Sequence, residues 1–197
     1  MGRVVYLARH GETSWNREGR WQGHTDIELN EEGRAQARTL GERLRGRDIG
    51  LIHTSDLARA RETAETVAAV LGVADVVVDR ALRERSFGIF EGLTRRECEL
   101  HHPQHWANYR ADPSRVPPGA ESQHALAERM HHAVTRAVAA RHAADDAPVL
   151  VVSHGGSIRA LLARATGTMP PPLDNVAVFR AVASEGSLTE VALLLRP

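Results

Sequence analysis

The chain predicts an α/β fold in which a mostly parallel sheet is sandwiched between helices. Three observations lead there. Short apolar runs alternate with longer helical stretches along the 197 residues. The runs at residues 4–8 and 149–153 are nearly unbroken in apolar character, the pattern of strands covered on both faces. Helix-starting and helix-stopping residues punctuate the stretches between them.

Residues 4–8 make the first strand. Asn30 caps a helix over residues 31–45, with Glu31 and Glu32 in the first turn, where negative charge suits the positive end of the helix dipole. Residues 50–53 form a second strand. Residues 57–71 form a helix that Gly72 ends. Residues 76–79 form a β-branched third strand, and residues 94–102 a short helix before Pro103. Four prolines fall between Pro103 and Gly119, and Trp106 and Tyr109 in this segment read as exposed. An irregular, lid-like excursion is therefore expected over about residues 93–124. An alanine-rich helix follows over residues 121–143, then a strand at 149–153 and a helix at 157–165. Residues 175–181 and 188–195 read as two closing strands. There is no internal repeat, and the length suits one domain over residues 1–197.

Formal net charge is zero, so no global field recruits nucleic acid or an anionic membrane. All 25 basic residues are arginine. That excludes Schiff-base and P-loop lysine chemistry and leaves arginine, a bidentate phosphate ligand, as the only strong cation. Cys98 is the single cysteine, which excludes a disulfide framework within one chain; it reads as an inert thiol. The apolar run at the N-terminus is too short for a signal or a membrane span, so a cytoplasmic protein is expected.

Two polar clusters follow strand ends: Arg9-His10-Gly11 and Ser153-His154-Gly155-Gly156. Ligands of open α/β sheets bind beyond the carboxyl ends of strands. A neutral imidazole there can act as a base or a nucleophile, arginine neutralises phosphate, and glycine lets a bulky ligand approach the backbone.

Arg9-His10-Gly11-Glu12-Thr13-Ser14-Trp15-Asn16 resembles the signature of the histidine phosphatase superfamily, the phosphoglycerate mutase-like family. The likeness continues in order. Leu29-Asn30-Glu31-Glu32-Gly33-Arg34-Ala35-Gln36-Ala37 resembles the family's first helix. Thr54-Ser55-Asp56-Leu57-Ala58-Arg59 resembles its second arginine motif. Leu82-Arg83-Glu84 and Phe87-Gly88-Ile89-Phe90-Glu91-Gly92 fall in a segment that resembles its acid motif. Val151-Val152-Ser153-His154-Gly155-Gly156 resembles its second-histidine motif.

The resemblance implies the three-layer αβα phosphoglycerate mutase-like fold and a metal-independent phosphomonoester hydrolase without a cofactor. His10 resembles the nucleophile that becomes phosphohistidine. Arg9, Arg59 and His154 resemble the pocket that holds the phosphoryl group and stabilises charge on its equatorial oxygens. Asn16, Gln22, Gly23 and Gly155 are placed with them as phosphate- or substrate-binding residues. Glu84 resembles the proton donor to the leaving oxygen, a role that requires a protonated carboxyl. Glu91 resembles a structural residue. Arg61, His101, His102, His105, His131 and His132 read as surface residues, and no metal site is expected.

Three features set the chain apart from the family's mutases. Gln22 stands where mutases carry a small hydroxyl residue, the segment after Gly92 is short, and the chain ends just after its last strand. Hydrolysis of a small phosphate ester is therefore expected. A cofactor-dependent phosphoglycerate mutase is the alternative, with Arg95 and Arg96 available for a substrate carboxylate. A catalytically silent binding or scaffold domain is a third reading. Residues 93–124, with Trp106, Tyr109 and Arg110, are expected to shape the leaving-group pocket. A monomer or homodimer is expected.

Overall fold

The computed structural model describes residues 2–140, 147–184 and 186–196. Its strands are β1 (Arg3–Arg9), β2 (Leu51–Thr54), β3 (Val76–Val78), β4 (Val149–Ser153), β5 (Val178–Ser184) and β6 (Ser187–Leu195). Its helices are α1 (Ser14–Glu18), α2 (Glu31–Arg43), α3 (Ala58–Leu71), α4 (Arg95–His101), α5 (Pro103–Ala111), α6 (Gln123–Ala139) and α7 (Gly155–Thr166). The sheet runs β3-β2-β4-β1-β5-β6. Its first four strands are parallel, and β5 and β6 close it antiparallel. The mostly parallel, helix-covered sheet expected from the sequence is the one observed.

The unbroken apolar runs have the reason anticipated for them: both faces of the sheet are covered. Val5, Leu7, Val149 and Val151 pack against Leu126 and Met130 of α6 and Ile158 and Leu161 of α7. Tyr6, Ala8, Leu150 and Val152 face the other way, onto Leu40 of α2 and Ala64 and Val67 of α3. Asn30 caps α2 by accepting from the Gly33 N–H at 2.8 Å. Gly72 ends α3 with φ +71°. No helix among the described residues is long and apolar enough to cross a membrane.

The stretch after Pro103 departs in part from expectation. Its first part forms α5, with Pro103 at the first helical position, where a missing N–H does no harm, while residues 112–122 are irregular as expected. Trp106 and Tyr109 are not exposed aromatics. Trp106 is 7% accessible and packs with Phe90 and Cys98 in a third apolar cluster, against which Trp21, Phe87 and Tyr109 lean. The helix of residues 121–143 begins at Gln123 and is helical to Ala139; its last three expected residues lie outside the described residues.

The loop after β1 is pressed onto α2. A Cβ at Gly33 would lie 2.1 Å from the Glu12 carbonyl oxygen, and one at Gly11 2.4 Å from the Gly33 oxygen. The backbones themselves are in contact, so neither methyl can be absorbed by turning a side chain. Gly33→Ala is expected to lower the thermal midpoint by several degrees, whereas Arg38→Ala, on the exposed face of α2, leaves it within a degree or so. Thermal unfolding followed by circular dichroism checks this; equal midpoints for the two variants would remove the close approach as a constraint.

Candidate active site

The parallel pairing of β1 with β4 places Arg9 opposite Ser153. The two polar clusters therefore leave the sheet side by side. His10 N–H donates to the Ser153 carbonyl at 3.0 Å, and the His10 and His154 rings meet edge to face, 5.1 Å between centroids. β2 lies on the far side of β4, and α3 rises from its end carrying Arg59. The first turn of α3 has no cap of its own. Asp26, far away in sequence, accepts from the Ala58 N–H at 2.7 Å.

Each imidazole is held in one tautomer. His10 Nδ1 lies 2.6 Å from the Gly11 carbonyl, which can only accept, so Nδ1 carries the proton and Nε2 keeps its lone pair. Arg59 Nε donates to His154 Nδ1 at 3.2 Å, so the His154 proton sits on Nε2. Burial pushes both histidine pKa values well below the usual 6.5, and Arg59 reinforces this in each. Both rings are therefore neutral at neutral pH.

The arginines are as deeply buried. Arg59 is fully buried; it donates to the Thr25 and Gly23 carbonyls at 2.9 and 2.8 Å. Burial pulls its pKa down to about 10, so it stays cationic at pH 7. Arg9 donates to the Leu173 carbonyl, and its pKa too is lowered by burial. Among the described residues neither guanidinium has a carboxylate within ion-pair distance. Among the described residues Arg9 Nε and His154 Nε2 are buried donors with no partner. Buried donors without acceptors are costly and scarce; Arg9 lines a crevice, and His154 lies behind it against the His10 ring.

Asn16 is oriented by the cap it forms. Its Oδ1 accepts from Thr13 N–H and from Asn175 Nδ2, which leaves its own amide hydrogens for the crevice it lines. Gln22 is buried in the same wall with its Oε1 unpartnered. Gly23 has φ +52°, and a Cβ there would run into the Glu91 carboxylate at 2.1 Å. Gly155 opens α7, where the first backbone N–H groups lack helical partners, and it packs against Arg9. The Glu84 carboxylate accepts from the Gly156 and Arg85 N–H groups at 2.9 and 2.7 Å and lies 3.2 Å from Ser157 Oγ. Glu91 ties loops together: it accepts from His24, Thr25 and Phe87 N–H groups.

The structure brings together all the site residues named from the sequence. Trp106, Tyr109 and Arg110 do not line the crevice; they line a neighbouring cleft with Trp21, Arg95 and Arg96. The outer walls of the crevice are Arg20, Trp21, Phe87, Arg159, Pro172 and Leu173. Tyr109 supports this wall from behind, edge-on to Trp21 at 6.3 Å. Leu173 and Asn175 were missed because they follow no motif. They are present because β5 runs antiparallel to β1, so the loop before β5 arrives where β1 ends. Arg61 sits on the exposed face of α3 with Glu65, and Cys98 is a buried thiol pushed up to about 11, largely by burial.

The neutral histidines set a pH dependence. Below about pH 6.5 the unfolded chain binds protons that His10 and His154 refuse in the fold, so stability falls as pH drops. The thermal midpoint is expected to decline between about pH 7.5 and 5.5. A His10→Asn/His154→Asn chain should be flatter there. A slope unchanged by the double substitution would mean that the two rings are not held neutral.

The profile described as histidine phosphatase superfamily (branch 1) matches residues 5–192. Phosphoglycerate mutase-like protein 4 of Arabidopsis thaliana is 41% identical over 164 residues, 82% of this chain and 70% of that protein. The metal-independent phosphoserine phosphatase of Arabidopsis thaliana is 35% identical over 165 residues, 82% of this chain and 68% of that one. The structure of a mycobacterial glucosyl-3-phosphoglycerate phosphatase with VO3 superposes with TM-score 0.86 at 31% identity, covering 99% of this chain and 100% of that one. With the motifs in order, the fold shared and the profile spanning nearly its whole length, this chain belongs to branch 1 of the histidine phosphatase superfamily.

Proposed function

We propose that the protein hydrolyses a small phosphate monoester through a phosphohistidine on His10, with Glu84 as the proton donor. The observation that carries this is the crevice: the buried guanidiniums of Arg9 and Arg59 and the His154 ring surround a neutral imidazole whose Nε2 keeps its lone pair, and among the described residues Arg9 Nε and His154 Nε2 have no partner. Relatives named as phosphatases of phosphoserine and of glucosyl-3-phosphoglycerate support it.

In the first step Nε2 of His10 attacks phosphorus. The P–N bond forms, the P–O ester bond breaks, and the alcohol leaves with a proton from Glu84. Arg9, Arg59, His154 Nε2–H and the Asn16 amide hold the three equatorial oxygens as their charge shifts. The proton that Glu84 gives in this step has to be on its carboxyl when the ester is bound. In the second step water attacks the phosphohistidine and gives a proton to Glu84. The P–N bond breaks, and phosphate leaves. Neutral His10 is what the first step requires, and burial beside two arginines supplies it.

Gln22 lines the pocket where the mutases carry a small hydroxyl residue, which favours transfer to water over return to the substrate. The apolar surfaces of Trp21, Phe87, Pro172 and Leu173 beside Arg159 would meet the alcohol portion.

Phosphate release from a panel of monoesters in EDTA, including 3-phosphoglycerate, phosphoserine and an aryl phosphate, tests the reading. Release is expected in the wild type, and His10→Ala should lower it by more than about a thousandfold. Acid-labile label retained on wild type but not on the variant would identify the intermediate. Isomerisation of 3-phosphoglycerate faster than its hydrolysis, with a bisphosphoglycerate primer, would instead make it a mutase. Phe87→Ala or Leu173→Ala should change the ranking of esters more than the affinity for inorganic phosphate. Equal losses on every ester would remove these residues from the leaving-group wall.

A further inference from the structure

The loop that carries Glu84 is held by one guanidinium outside the crevice. Arg129 lies on the second turn of α6, and all five of its N–H donors are engaged. Nε and Nη2 grip the two oxygens of Glu121 at 2.9 and 2.7 Å. Nη1 donates to the carbonyls of Ala81 and Arg83 at 2.8 and 2.9 Å, and Nη2 to that of Glu84 at 3.2 Å. Glu121 extends the clamp through its backbone. Its carbonyl accepts from Arg85 Nε at 2.7 Å, and its N–H donates to the Ser86 carbonyl at 3.0 Å.

This segment belongs to no sheet ladder, so its carbonyls have no regular partners to hold them. Three of them turn toward a single planar group. Meanwhile the Glu84 carboxylate is met from the other side by the N–H of Gly156 on α7. Ser157 Oγ of α7 also donates to the Arg83 carbonyl at 2.8 Å, and His24 Nε2 lies 2.9 Å from the Glu84 carbonyl, but Arg129 alone joins all three carbonyls. Lysine, with three donors on a flexible stem, cannot reproduce five fixed directions.

We propose that Arg129, paired with Glu121, is a positioning residue that keeps the Glu84 carboxyl at the leaving oxygen. This rests on the reading of Glu84 as proton donor. A displacement of about 1 Å in a reacting group can lower the rate by about a hundredfold. The effect should appear only where a proton is needed. An alkoxide leaves poorly without one, whereas a dinitrophenolate leaves unaided.

The experiment is a leaving-group series, from 2,4-dinitrophenyl phosphate to simple alkyl phosphates, with kcat/KM measured for wild type, Glu84→Gln, Arg129→Lys and the double variant. Arg129→Lys keeps the charge beside Glu121 and the field that Arg129 exerts at His154. An Arg129→Met/Glu121→Met chain, which removes both charges together, is the second variant should the lysine chain fold poorly. Thermal midpoints are recorded for all.

Glu84→Gln is expected to lose activity on alkyl esters and to keep most of it on the dinitrophenyl ester. Arg129→Lys should show the same selective loss, roughly tenfold to a hundredfold on alkyl esters, with little further loss in the double variant. If both Arg129 variants lose activity equally on all esters, or on none, while Glu84→Gln stays selective, the clamp is overturned and Glu84 keeps its role. If Glu84→Gln is itself unselective, the proton-donor reading fails, and the positioning role fails with it.

Discussion

Val5 stands opposite Val149 and Arg9 opposite Ser153 in the parallel ladder of β1 and β4, and the site hangs from that register. Side chains alternate across a sheet, so a slip of one residue would exchange the two faces of β1. Tyr6 and Ala8 would turn toward α6 and α7, and Val5 and Leu7 toward α2 and α3. The well-packed apolar layers on both faces make that exchange expensive. The same packing therefore fixes where His10 and His154 leave the sheet and how their rings meet.

Burying two guanidiniums and two imidazoles together works against stability, because among the described residues neither guanidinium has a carboxylate within ion-pair distance. The fold meets part of this demand with backbone carbonyls: Gly23 and Thr25 for Arg59, Leu173 for Arg9, Gly11 for His10. Among the described residues Arg9 Nε and His154 Nε2 are left unsatisfied, and the proposed phosphate site rests on them. The same burial keeps His10 neutral. In the proposed reaction, phosphate binding and a neutral nucleophile would come from one physical source, the removal of water around positive charge.

The loops around the crevice are stabilised by charges that never enter it. Glu91 gathers the N–H groups of residues 24, 25 and 87, Arg129 gathers the carbonyls of residues 81, 83 and 84, and Asp26 caps α3. Each replaces a regular ladder that the loop does not have. The aromatic cluster around Phe90 and Trp106 supports the outer wall by backing Trp21 and Phe87.

Local patterns in the chain were enough for the strands of the parallel sheet, the caps at Asn30 and Gly72 and the order of the motifs, because these depend on neighbours in sequence. They were also enough to name His10, Arg9, Arg59, Glu84, His154 and Asn16 as a set, through motifs that resemble a family's. α5 was hidden by its prolines, which at Pro103 begin a helix and at Pro113, Pro117 and Pro118 lie beyond its end. Trp106 looked exposed because the partners that bury it, Phe90 and Cys98, come from other elements. Tertiary structure alone decided which tautomer each histidine holds, which donors are left without partners, and that Leu173 and Asn175 join the site. Those are properties of groups brought together from strands and loops distant in the chain, and their energies exist only once water between them has been excluded.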